Sequence, residues 1–259
     1  MQKGICLLTF VPVRKSPSEA SEMVTQILFG EIFNVTDEQP QWVLVELDYD
    51  GYIGWIDKKQ IKFIDDYGFT SLNNAEQSVV SLPFCNYREE NSEETMNLLC
   101  GSTIYNPDGK YFLVLNKKYY LNNDLPKTLK DNPQKIIVDT AMQLLNTPYL
   151  WGGRSAFGID CSGLVQTACK VAGIKMPRDA SQQVWQGTTI NSLDDSVIGD
   201  FLFFENDKCK IVHTGILITE NKIIHASGSV RIDSIDQQGI FNNDIQKYTH
   251  KLKIIKRVV

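Results

Sequence analysis

Residues 149–163 read Y-L-W-G-G-R-S-A-F-G-I-D-C-S-G. A glycine-rich turn ends on Asp160, and an apolar helical pattern begins at Cys161. Asp160 is therefore placed to cap a helix, with Cys161 in its first turn. The unpaired N–H groups and the positive dipole end of such a turn favour negative charge. Thiolate is the nucleophilic form of cysteine, so this position predicts a lowered thiol pKa and a reactive Cys161. Gly152, Gly153 and Gly158 leave room beside it for a substrate backbone. Two of the three histidines lie downstream, His213 in I-V-H-T-G-I-L-I and His225 in K-I-I-H-A-S-G. One cysteine with distant histidines is the outline of a nucleophile and its base. By strand alternation His213 shares a face with Ile211, Gly215 and Leu217, and Gly215 opens space next to the ring. His225 falls on what reads as the adjacent strand, so one ring is expected to act as base and the other to orient it. His250, beside Lys251, reads as a surface residue.

Working outward, Asn132 and Pro133 predict a helix start. Ile136, Ile137, Thr140, Ala141, Leu144 and Leu145 continue it at helical spacing until Pro148. A second helix is predicted over 161–171, ending at Gly173, and a third over 180–186 after Asp179. Strands are predicted at 200–204, 211–218, 222–226 and 252–258. Helices followed by antiparallel strands make 128–259 an α+β domain. Ahead of it, N-N-D-L-P at 122–126 and D-N-P at 131–133 mark a boundary. Residues 1–64 carry short apolar runs at 5–13, 23–28, 32–35, 42–47 and 52–56, with Asp50-Gly51 as a hairpin signal, and read as a small barrel. Residues 65–127 echo this weakly. Leu28-Phe29-Gly30 and Ile32-Phe33 find counterparts in Leu99-Cys100-Gly101 and Ile104-Tyr105, and Asp50-Gly51-Tyr52 in D-G-K-Y at 108–111. A second, degenerate small barrel is expected there.

The chain has 259 residues, 42% of them hydrophobic, and a formal net charge of −5. The mild acidity argues against nucleic acid or an anionic membrane as the main partner, and no run is long enough to span a bilayer as a helix. Residues 1–13 read as neither a signal peptide nor a lipoprotein leader. The expected location is the cytoplasm, or the periplasm or exterior for a mature form whose leader was removed. None of the six cysteines forms a C-x-x-C pair, and they are expected to be mostly buried and reduced. Cys169, among Val165, Ala168 and Ala172, reads as packing. A zinc site from Cys161, His213 and His225 lacks the usual close ligand pair, so neither metal nor cofactor is expected. No G-x-S-x-G is present for a serine hydrolase.

The order Y-L-W-G-G…D-C-S-G, R-D-A-S-Q-Q, G-D-F-L-F-F, H-T-G-I-L and I-I-H-A-S-G resembles the NlpC-type bacterial cell-wall cysteine peptidases, a papain-like group. The first half, with V-P-V-R, S-E-M-V-T-Q-I-L-F-G-E and D-G-Y-I-G-W-I, is similar to the bacterial SH3-like barrels that precede this domain in dipeptidyl-peptidase VI enzymes. The resemblance implies a papain-like α+β catalytic domain over 128–259 behind two small all-β SH3-like barrels, 1–64 and 65–127. It implies a γ-D-glutamyl-L-diamino acid endopeptidase acting on murein tripeptide or tetrapeptide with a free N-terminal L-Ala. Cys161 would be the nucleophile, His213 the base and His225 the orienting residue. Tyr149 would lie near the oxyanion, and Asp160, Ser162 and Ser181 would line the substrate groove. Glu22 and Tyr52 in the first barrel are candidates for holding the substrate ammonium. Arg178 fits either the support of the Ser181 turn or substrate contact. A monomer is expected. The competing readings are an amidase or acyltransferase with the same Cys–His site, and a non-catalytic cell-wall binding protein.

Overall fold

The structure, a computed structural model, describes residues 2–122 and 132–259. The chain forms two compact units, Met1–Lys127 and Thr128–Val259. In the first, β1 (Lys3–Ile5), β2 (Phe10–Arg14), β3 (Met23–Leu28), β4 (Ile32–Glu38), β5 (Trp42–Leu47), β6 (Ile53–Asp57) and β7 (Lys62–Ile64) build an antiparallel sheet ordered β3-β2-β6-β5-β4-β1-β7. The Asp50-Gly51 turn joins β5 to β6, and the Asp50 carboxylate accepts the Tyr52 N–H at 3.0 Å. The predicted strand 5–13 divides in two. At the break Cys6 bonds to Glu31 and Gly30 in the turn after β3, at 3.0 and 2.8 Å. Cys6 is fully buried, which is why the apolar run continues through a chain crossover.

A helix absent from the sequence expectation follows, α1 (Asp66–Asn74). The Asp65 carboxylate caps it by accepting the Gly68 N–H at 2.7 Å. Its mostly polar sequence, with Phe69 and Leu72 as the apolar contacts to the core, carries too little periodicity to read. Then β8 (Gln77–Val79), β9 (Phe84–Glu89), β10 (Met96–Leu99), β11 (Thr103–Asp108), β12 (Tyr111–Val114) and β13 (Lys117–Leu121) form a second antiparallel sheet ordered β10-β9-β13-β12-β11-β8. The first sheet has a core of its own, around Val11, Phe33 and Ile56, and a second core joins the two sheets. Phe29 from the first meets Tyr87 and Phe112 of the second edge-on, at centroid distances of 5.1 and 5.9 Å. At the seam the Thr103 N–H donates to the Phe29 carbonyl at 2.9 Å, and the Tyr105 hydroxyl to the Gly30 carbonyl at 2.6 Å. Gly30 has φ +81°, and a Cβ there would lie 1.9 Å from the Thr103 oxygen, so only glycine permits the approach.

In the second unit α2 (Pro133–Gln143) is capped by Asn132, whose side chain accepts the Lys135 N–H at 2.9 Å. Short strands β14 (Arg154–Ser155) and β15 (Gly158–Ile159) lead into α3 (Cys161–Val171), every residue of which is buried. α4 (Ala180–Gln183) is a single turn, shorter than expected. The sheet comprises β16 (Thr188–Ile190), β17 (Phe201–Glu205), β18 (Ile211–Thr219), β19 (Lys222–Ser227), β20 (Ser229–Ile235), β21 (Gly239–Asn242) and β22 (Lys247–Arg257). Its order is β16-β22-β17-β18-β19-β20-β21, and β22 also pairs with β21, so β17–β22 close on themselves. The sequence did not predict β20 or β21, and β22 starts at Lys247 instead of 252. Arg231, Asp233, Asn242 and Lys247 interrupt the apolar pattern there, and pairing to already formed strands overrides the interruption. No helix among the described residues is long and apolar enough to cross a membrane.

Candidate active site

Asp160 organises the start of α3. Its Oδ1 accepts the Gly163 N–H at 2.7 Å and the Ser162 hydroxyl at 3.2 Å; its Oδ2 accepts the Gly152 N–H at 2.8 Å. Arg178 donates to both oxygens, at 2.9 and 2.6 Å, and also to the Ser162 hydroxyl at 2.9 Å. The pair is sealed from water, with side chains 1% and 8% exposed. The carboxylate expected to line a substrate groove is thus committed to the helix start, and Arg178, left open by the sequence, is its counter-ion. A Cβ on Gly163 would stand 2.2 Å from the Gly153 carbonyl, so the S-G of D-C-S-G lets the glycine-rich turn pack directly on the helix.

Cys161 occupies the first helical position, buried, with α3 packed against β18 and β19. The expected lowering of its pKa does not occur. Burial first, and the Asp160 charge second, push the thiol up to about 12, against backbone hydrogen bonds at Thr214 and Ser162 and the Arg178 charge. A thiol raised in this way rests neutral and needs a base. Through its contact with the Thr214 backbone the thiol adjoins the residue directly after His213.

His213 and His225 do pair, at 2.8 Å between Nε2 and Nδ1. Behind them stands Asp233, which the sequence reading overlooked. The hairpin of β19 and β20 sets Asp233 opposite Ile223, diagonal to His225, and His225 Nε2 lies 3.0 Å from its Oδ2. Arg231 donates to the same carboxylate at 2.8 and 2.9 Å. Burial raises the Asp233 pKa, but the hydrogen bonds from His225 and Arg231 outweigh it and hold the group below its ordinary value. An ionised Asp233 fixes the proton of His225 on Nε2. Nδ1 of His225 then accepts from His213 Nε2–H, which leaves the lone pair of His213 on Nδ1. His213 itself is held well below its usual pKa by burial, His250 and His225, so it rests as a neutral imidazole with a basic nitrogen available. The signal for Asp233 was an acidic residue at an inward position of the strand after the Gly228 turn.

His250 is the clear correction. It was read as a surface residue, yet its ring stacks on His213 at a centroid distance of 4.0 Å and lies 5.7 Å from His225. Burial lowers its pKa to about 4. Tyr149 is near the thiol: its hydroxyl is pushed up to about 12 by burial, then by Cys161 and Asp160. Ser162 lies buried within the Asp160–Arg178 cluster. Ser181 is exposed on α4, two residues before Gln183, whose amide donates to the Ser162 carbonyl at 2.9 Å. Glu22 and Tyr52 belong to the first unit. Glu22 meets Lys15 at 3.1 Å on the surface, and Tyr52 packs half-buried against the first core.

The low pKa values of His213 and His250 predict acid sensitivity. Unfolded histidines titrate near 6.5, so below that pH the unfolded chain binds more protons and stability falls as pH drops from 6.5 towards 4. Allowing for the partial exposure of His250, that ring accounts for a loss of about 2 kcal/mol. Urea unfolding at neutral pH and near pH 5 should show the loss, and His250→Phe should reduce it. An unchanged difference in the variant would refute the assignment.

The profile of the NlpC/P60 family matches residues 146–249, and that of the bacterial dipeptidyl-peptidase Sh3 domain matches residues 13–61. A gamma-D-glutamyl-L-lysine dipeptidyl-peptidase of Bacillus subtilis (strain 168) is 32% identical over 217 residues, 78% of this chain and 71% of that protein. The chain belongs to the NlpC/P60 family. Dipeptidyl-peptidase 6 of Lysinibacillus sphaericus is 29% identical over 247 residues, 86% of this chain and 88% of its own. The solved structure of an NlpC/P60 family protein from Bacillus cereus matches 99% of both chains with a TM-score of 0.83 at 21% identity, which shows a shared fold. This NlpC/P60 protein therefore joins a domain of the NlpC/P60 peptidase family to a bacterial Sh3 domain.

Proposed function

We propose that the chain hydrolyses the γ-D-glutamyl–L-diamino acid amide of short murein peptides with a free N-terminal L-Ala, releasing L-Ala-D-Glu. The observation that carries the reading is the hydrogen-bonded run Asp233–His225–His213, which ends one residue from the thiol contact of Cys161. Similarity to relatives named dipeptidyl-peptidases supports the choice of bond.

Cys161 Sγ attacks the γ-glutamyl carbonyl while His213 Nδ1 takes the thiol proton. The imidazolium that forms keeps its Nε2–H on His225, whose other nitrogen is polarised by Asp233. The Cys161 N–H has no helical acceptor, and with the Tyr149 hydroxyl it receives the oxyanion. The C–N bond breaks as His213 returns the proton to the departing amine. Water, deprotonated by the same imidazole, then clears the thioester. Ser162 and Ser181 flank the nucleophile's groove. The fold proposed for this activity is a papain-like α+β domain behind two SH3-like barrels. The protein works as a monomer in the cytoplasm on imported peptides.

The test is digestion of L-Ala-γ-D-Glu-L-Lys, its meso-diaminopimelate counterpart, their N-acetylated forms and intact sacculi, with products weighed by mass spectrometry. Release of L-Ala-D-Glu from the free tripeptides, with slower cleavage of the blocked forms, is expected. Equal cleavage of blocked and free peptides would remove the role assigned to the free amine. Products from another amide bond would point to the amidase reading.

A further inference from the structure

All three histidines of the chain converge on one place. His213, His225 and His250 each present a ring nitrogen within 4.8 Å of the others, although they come from three different strands. The hydrolytic chemistry uses two of them. It assigns nothing to an imidazole in the third position, where a plain aromatic ring would pack as well against Phe204 and His213. The surroundings of the rings are those of ligands. His225 has one nitrogen on the buried carboxylate of Asp233, the arrangement that orients a metal-bound imidazole and raises its basicity. His250 has Nδ1 on the Thr249 hydroxyl at 2.9 Å, which leaves Nε2 for an ion. A cleft of about 590 Å³, lined in part by Val212, Tyr248 and Thr249, reaches the His250 side of the cluster.

We propose that His213, His225 and His250 form a binding site for a divalent cation of the Zn2+ class, and that occupancy switches the peptidase off. Three imidazoles and one open position suit tetrahedral Zn2+. The inhibition rests on the role of His213 given above. In the hydrolytic state Nε2 of His213 carries a proton and Nδ1 a lone pair. Coordination through Nε2 moves that proton to Nδ1 within the same neutral ring. Nδ1 can then no longer accept the proton of Cys161, so the thiol keeps it and attack stops. His225 binds through the lone pair on Nδ1 that previously accepted from His213, and Asp233 keeps its Nε2–H.

The experiment uses untagged, metal-stripped Cys161→Ala protein, in which the neighbouring thiol cannot serve as a ligand. One equivalent of Co2+ should produce the intense visible bands of a tetrahedral nitrogen site, and Zn2+ should bleach them. His250→Gln should weaken Co2+ binding about tenfold or more, with His250→Asn as a second replacement and circular dichroism confirming that both fold. In the wild-type protein Zn2+ should block hydrolysis, and a chelator should restore it. The absence of tetrahedral Co2+ bands, or equal affinity in the parent and both folded His250 variants, overturns the site. The Co2+ measurement needs no turnover, so failure of the peptidase reading would be seen separately.

Discussion

Cys161→Ala should lower kcat by about four orders of magnitude or more while leaving the protein folded. The magnitude follows from losing the atom that forms the covalent intermediate. The retained fold follows from the place of the side chain. Cys161 contributes a small buried group at the first position of a helix whose cap, Asp160, and packing on β18 are untouched. The thermal midpoint should move by no more than about 1 kcal/mol equivalent. A second readout follows from the neutral thiol. Alkylation of wild-type Cys161 by iodoacetamide should rise steadily with pH, since burial and Asp160 hold the pKa near about 12. A rate already at its plateau in mild acid would show a preformed thiolate and refute the neutral resting state. Release of L-Ala-D-Glu by the alanine variant would remove Cys161 from the mechanism.

Arg178→Ala should cost the protein about 3–5 kcal/mol, far more than a surface ion pair would. The guanidinium is the counter-charge of a carboxylate that is 8% exposed, and it reaches the Ser162 hydroxyl and the Gly153 carbonyl as well. Removing it strands the Asp160 charge in a space water does not enter. Urea unfolding monitored by tryptophan fluorescence measures the effect. Arg178→Met combined with Asp160→Asn should recover part of it, because the stranded charge is then gone. A single-variant loss below about 1 kcal/mol would mean that Asp160 is adequately held by the backbone N–H groups of Gly152 and Gly163 alone.

The legible part of the site was the part written in consecutive residues. Asp160, Cys161 and the glycines form one turn, and His213 and His225 lie in apolar strands whose pattern is plain. Asp233 and His250 were hidden for a common reason. Both sit in strands with weak apolar alternation, β20 and the start of β22, which form because β19, β17 and β21 are already there to pair with. Partner strands determine such segments more than their own periodicity does. The thiol pKa was misjudged for a related cause. A helix N-terminus is visible in a sequence, whereas burial is a property of everything packed around it. In the first unit, the crossover at Cys6 and the short helix α1 fell below the reach of pattern for the same reason: each is set by contacts to residues distant along the chain.

The close approach of Gly30 to Thr103 bears on how this protein can be taken apart. Phe29 meets the rings of Tyr87 and Phe112 in the second sheet, and the turn that carries it accepts hydrogen bonds from Thr103 and Tyr105. Cut after residue 64, the leading segment would present Phe29, Ile5 and Ile32 to water together with unpaired carbonyls. The smallest transplantable piece of the amino-terminal half is therefore the pair of sheets. A graft onto another enzyme that carries only the Sh3-matching residues should aggregate, and one that carries both sheets should stay in solution.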